Sequence, residues 1–172
     1  ATADQKALAL QAAGGGLTTA NSSSLTSDVV ATQLVYTTQP SPLTGTSGSV
    51  LDFSTDPVVA ARDGNGILDV GFTSTVTLTE TGSGAATYAN NSVSAESGVA
   101  TFTGLTVNYT ASADQEAFAL QAAGGGLTTA NSSGLTSDVV ATQLVYTTQP
   151  SGSVSGSTLT TQPVVTAQDA RG

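Results

Sequence analysis

ATADQKALALQAAGGGLTTANSSSLTSDVVATQLVYTTQPS, residues 1–41, returns at 111–151 as ASADQEAFALQAAGGGLTTANSSGLTSDVVATQLVYTTQPS. Four of the 41 positions differ: Thr2 becomes Ser112, Lys6 becomes Glu116, Leu8 becomes Phe118 and Ser24 becomes Gly134. The offset of 110 residues exceeds the roughly 20–50 of a solenoid unit and suits one domain of ordinary size. The chain therefore reads as a window on an array of near-identical domains. Residues 1–30 are the C-terminal part of a preceding repeat, 31–140 a complete repeat, and 141–172 the N-terminal part of the following one. Such an array points to reach, spacing or multivalent adhesion before it points to catalysis.

Within the complete repeat the apolar period is two, and turn residues recur roughly every 8–15 positions. TQLVYTTQP (32–40) reads as a first strand ended by Pro40, and PVVAARD (57–63) as a strand entered through Pro57. In FTSTVTLTE (72–80), Phe72, Ser74, Val76 and Leu78 face one way and the threonines the other. GVATFTGLTVNYT (98–110) holds one or two strands with a bend at Gly104. A closing hairpin runs from Glu116 to Ala123, with Phe118, Leu120 and Ala122 inward, turns at the glycines 124–126 and returns over 127–140. Six or seven short strands in about 110 residues fit a two-sheet sandwich. DVVATQLVY passes into the next repeat without Gly or Pro, so the linker is expected to be short and stiff.

Composition agrees. Charged residues make up 9% of the chain, against roughly 25% in ordinary domains. Thr, Val and Gly dominate while helix formers are scarce, which is β-composition. A net charge of −9 excludes the usual attraction to nucleic acid or anionic membrane. No apolar run approaches the roughly 20 residues of a membrane span. Cysteine is absent, so stability must come from burial and strand pairing.

The strings QLVYTTQPS, FTSTVTLT, GVATFTGLT and PVVTAQDARG, in this order and spacing, resemble the bacterial immunoglobulin-like repeats of giant surface proteins and adhesins, related to invasin-type domains. Where that family usually has glycine two places after the Phe, this chain has Ser74. The resemblance implies an immunoglobulin-like β-sandwich in tandem array, an extracellular location and a stalk, adhesion or filament role. Its implied partners are neighbouring repeats of the same or an identical chain, and a glycan or host surface if the repeats bind. No catalytic residues carry over from it.

The chemistry of the side chains points the same way. With no His and no Cys, Ser–His, Cys–His and His-ligated metal sites are excluded, and the complete repeat has no lysine. No catalytic residue and no organic cofactor site is expected. Calcium is the candidate ion. Asp63, Asn65 and Asp69 offer oxygen ligands at relative positions one, three and seven, with Gly64 and Gly66 allowing a tight loop. A plain Asp-Gly turn explains the same residues, and the next copy has Arg171 where Asn65 stands. Asp28 and Asp138 recur just before the linkers as candidate ligands for a junction calcium; Asp4 and Asp114 also recur. The plainer reading of these is solvated charge on a polar, largely neutral surface. The glycines 14–16 and 124–126 lack the Lys of a phosphate loop and read as hairpin turns.

Two functions follow from this. One is a structural tandem repeat of an extracellular bacterial stalk, giant adhesin or surface filament acting as spacer. The other is a glycan- or protein-binding module that uses repetition for avidity. Residues 1–30 and 141–172, being parts of sandwiches, are expected to be ordered through contacts outside their own segments.

Overall fold

The computed structural model describes residues 3–172; Ala1 and Thr2, the first two positions of the segment 1–30, lie outside the described residues. Among the described residues every regular element is a strand, and no helix is long and apolar enough to cross a membrane. Runs such as QLVYTT and TVTLTE supply the β-branched and aromatic side chains that fit a pleated, half-buried surface.

Residues 31–140 build four small sheets. Gln33–Thr38 pairs antiparallel with Val58–Arg62, which pairs in turn with Val99–Thr101. A second sheet has the order Ser92–Ser94, Thr75–Glu80, Leu120–Gly124, Ala130–Asn131, and a third the order Ala85–Ala89, Thr106–Thr110, Val50–Asp52. In the fourth, Glu116–Phe118 runs antiparallel to Leu135–Asp138, which lies parallel to Thr44–Thr46. All four bury their apolar side chains in one core. Leu78, Phe102, Leu105, Val107, Leu120 and Leu135 are each 0% exposed there. Full burial of a side chain of this size contributes about 1.5–3 kcal/mol. Several sheets around one core are consistent with a β-sandwich. The first strand is tied to the closing segment by the Tyr36 hydroxyl, which donates to the Leu120 carbonyl at 2.9 Å.

Most expected strands are present. The outgoing arm of the closing hairpin, however, is two strands rather than one. Glu116–Phe118 pairs with Leu135–Ser137, and Leu120–Gly124 pairs with Thr75–Glu80 in another sheet. The chain changes sheets at Ala119, whose amide and carbonyl both bond Thr81. The strand expected from Phe72 begins at Thr75, because Phe72 is engaged in a turn: its amide donates to the Asp69 carbonyl and its carbonyl accepts from Gly98. Inward-facing Phe118, Leu120 and Ala122 and the bend at Gly104 (φ +68°) match the reading of the residues.

The flanking segments form hairpins in the same local register as their counterparts. Lys6↔Ser27 and Leu8↔Leu25 repeat Glu116↔Ser137 and Phe118↔Leu135. Gln143↔Gln168 repeats Gln33↔Arg62, with the same irregularity four pairs on. Burial does not repeat. Leu10 is 63% exposed where Leu120 is 0%, and Leu144 is 75% exposed where Leu34 is 3%. Local pairing is written into each copy, whereas burial requires the other strands that close the core around 31–140. Beyond their own segments, Asp4 accepts the Val70 amide and the Arg171 guanidinium lies against Gly48.

Candidate functional site

Residues 28–31 carry the chain from the first hairpin into the central unit, and two carboxylates clasp them. Asp4 stands at the start of the hairpin, before Gln5 at φ 52°. Its Oδ1 accepts the Gln5 and Val29 amides, both at 2.7 Å, and its Oδ2 accepts the Val70 amide of the central unit at 2.8 Å. Asp69 reaches the opposite way. Its Oδ2 accepts the Ala31 amide at 2.9 Å and its Oδ1 the Gly71 amide at 2.9 Å. Val29 and Ala31 are buried between them, at 5% and 7% exposure.

Hydrogen bonds to an ionised acceptor are shorter and stronger than neutral ones. The Val29 amide foremost, with the Val70 and Gln5 amides, holds the Asp4 carboxyl below its ordinary value against the opposing effect of partial burial. The Asp69 loop is admitted by Gly98, at φ +82°; a Cβ there would stand 2.2 Å from the Asp69 carbonyl oxygen. Alongside, Gln5 Nε2 donates to Asp28 Oδ1 at 3.0 Å, and Gln115 donates to Asp138 in the second copy.

The structure places the candidate calcium ligands differently from one another. Asp63 Oδ1 accepts the Asn65 amide at 2.9 Å and the Ile67 amide at 2.8 Å, and Asn65 Nδ2 donates to Asp63 Oδ2 at 3.3 Å. The Ile67 amide is the main cause holding the Asp63 carboxyl below its usual value. Asp69 is turned to the linker, and Asp28 and Asp138 each meet a glutamine. Among the described residues no group of three or more potential metal-ligating acidic side chains is gathered. At the junction, Asp4 and Asp69 are the carboxylates that accept the Val29, Val70 and Ala31 amides. Their signal in the sequence is ADQ opening a hairpin whose return strand ends in DVVA, together with an aspartate just after the Asp-Gly turn.

A second polar cluster, which the sequence reading passed over, is centred on Glu116. Its carboxylate accepts six donors: the amides of Ser83, Gly84 and Ser112 and the hydroxyls of Ser83, Tyr109 and Ser112. The Tyr109 hydroxyl foremost holds the Glu116 carboxyl well below the usual carboxylate range. Burial in turn pushes the Tyr109 hydroxyl up, as does its bond to Glu116. The Tyr109 ring stacks on Phe118 at 4.1 Å between centroids and 9° between planes. Nearby, the Tyr88 hydroxyl donates to Glu80 Oε2 at 2.7 Å. Each phenol is thus committed to a carboxylate, an arrangement that fixes loops.

No family model and no curated protein matches the chain. Among solved structures it is similar to a glycosyl hydrolase family 2 member from Bacteroides cellulosilyticus, with a TM-score of 0.44 and 16% identity. The match covers 73% of this chain and 16% of that one. At that score the likeness assigns neither a fold family nor an activity.

Proposed function

We propose that the chain is a structural spacer of an extracellular bacterial stalk, giant adhesin or surface filament, in which immunoglobulin-like β-sandwiches stand in tandem. The repeats are 31–140, with 1–30 belonging to the repeat before and 141–172 to the repeat after, and neighbouring repeats are the principal partners. The observation that supports this reading is the clasp at 28–31. Asp4 of the first hairpin bonds Val70 of the central unit across the boundary, and within that unit Asp69 bonds Ala31 at its entry, so the chain is anchored directly after the linker. A fixed angle between neighbours is what a spacer needs and what a flexible string of independent binders lacks. The absence of His and Cys from the chain, and the commitment of the Tyr109 and Tyr88 hydroxyls to glutamates, support a non-catalytic role.

Residual dipolar couplings test the proposal. A single alignment tensor should fit the amides of 6–27 and of 33–138 in the native chain, and two should be needed in Asp4→Ala/Asp69→Ala. Two tensors in the native chain would overturn the spacer reading. Saturable binding to a glycan array would replace it with the adhesive module.

A further inference from the structure

The arm that enters the central unit and the arm that leaves it run side by side in the same direction. Gln33 bridges Thr128 in the parallel sense: the Thr128 amide donates to the Thr32 carbonyl at 3.0 Å, and the Leu34 amide to the Thr128 carbonyl at 2.9 Å. Further along both arms, Thr44–Thr46 lies parallel to Leu135–Asp138, in the register Thr136↔Thr44, Ser137↔Gly45 and Asp138↔Thr46. The Thr136 amide extends this ladder to the Leu43 carbonyl, and the Ser47 amide extends it to the Asp138 carbonyl, both at 2.8 Å. Every other strand pairing among the described residues is antiparallel.

The direction of these two seams relative to the linkers gives them a mechanical meaning. The entering arm meets its linker, 28–31, at its N-terminal end, and the leaving arm meets the next linker at its C-terminal end, beyond Asp138. Tension between neighbouring repeats therefore draws the arms past each other lengthwise. Parallel strands pulled from opposite ends load their evenly spaced bonds together, whereas strands parted from one shared end give way bond by bond. Each linker has its own seam: tension at Ala31 reaches Thr32–Leu34 first, and tension at Val139 reaches Thr136–Asp138 first. Both arms are also rooted in the core, where Leu34 and Leu135 are buried.

We infer that the two parallel seams are the load-bearing contacts of the repeat: they carry tension applied along the array and keep the unit folded under it. Forced unfolding follows the unfolding barrier rather than the equilibrium stability, so the direction in which a few bonds are loaded can outweigh their number. The inference rests on the spacer reading, since only a chain pulled through its linkers loads the arms in this way.

Single-molecule force spectroscopy of the full chain tests it by changing the direction of pull. The chain has no cysteine, so paired Cys substitutions place the handles unambiguously. Val30→Cys/Val140→Cys, at two exposed positions, draws the arms lengthwise. Ser49→Cys/Val140→Cys, with Ser49 also exposed, parts the second seam from its Ser47–Asp138 end. At one loading rate, the central unit should give way at a several-fold higher force in the first pair than in the second. Ser47→Pro, which removes the donor to the Asp138 carbonyl, should lower the force in the first pair. A force in the first pair no higher than in the second overturns the load-bearing seams. The spacer reading would survive that result, because it is judged by the dipolar couplings and not by the force.

Discussion

Glu116 concentrates more hydrogen bonds than any other side chain described above, and its ionisation should be visible in the stability of the fold. Its carboxyl lies well below the ordinary 4.5 in the folded chain and returns to that value on unfolding. The folded state thus binds fewer protons, so the stabilisation is fully present above about pH 5 and is lost as pH falls toward the folded value. Urea midpoints measured from about pH 7 down to pH 2 should drop along this limb, and Glu116→Gln should flatten it while lowering the neutral midpoint. A parallel pH dependence in the variant would show that other carboxylates dominate. Gly98 is the second sensitive position. Alanine there needs both a positive φ and room at the Asp69 carbonyl that does not exist, so Gly98→Ala should destabilise by about 2 kcal/mol or more and expose Val29 and Ala31 to faster exchange. A neutral effect on either readout would mean the 69–71 loop moves aside freely.

Two strands of identical local sequence but different surroundings give an internal control. Leu120 in Leu120–Gly124 is fully buried, and Leu10, its counterpart, is mostly exposed. Leu120→Ala should cost about 2–5 kcal/mol through transfer and cavity effects, whereas Leu10→Ala should stay within about 0.5 kcal/mol, both read from urea unfolding. Equal effects would mean the first hairpin is packed in solution. The same pair shows what the sequence could and could not convey. Alternation in TVTLTE and the inward set Phe118, Leu120, Ala122 were legible because one-face burial imposes a period of two. The sheet change at Ala119 was not, because nothing in EAFALQAAG interrupts that period; it is imposed by Thr81 of a distant segment. Thr44–Thr46 was equally hidden, since a three-residue parallel pairing carries no turn signal of its own. At the junction, the recurring aspartates were legible as charges. Their roles depend on amides 25 and 66 positions away from Asp4 and 38 away from Asp69, distances that only the fold closes.

For the molecule as a whole, Asp4, Asp63 and Asp69 each accept backbone amides, while Asp28 and Asp138 accept glutamine side chains. Millimolar calcium should therefore leave the melting temperature of the native chain unchanged, because Asp63 and Asp69 already face amide donors and Asp28 and Asp138 each face a glutamine. A rise that saturates with calcium and disappears in Asp63→Ala or Asp28→Ala would restore the ion. Near-identity of adjacent copies also carries a hazard: residues 3–28 have the pairing pattern to take the place of 113–138 in the central unit. Two of the four differences between the copies fall where such an exchange would be felt. It would set the Lys6 ammonium before the six donors that Glu116 gathers, and Leu8 where Phe118 stacks on Tyr109. Such an exchange would thus leave the donors around Glu116 without their carboxylate and the Tyr109 ring without its stacking partner.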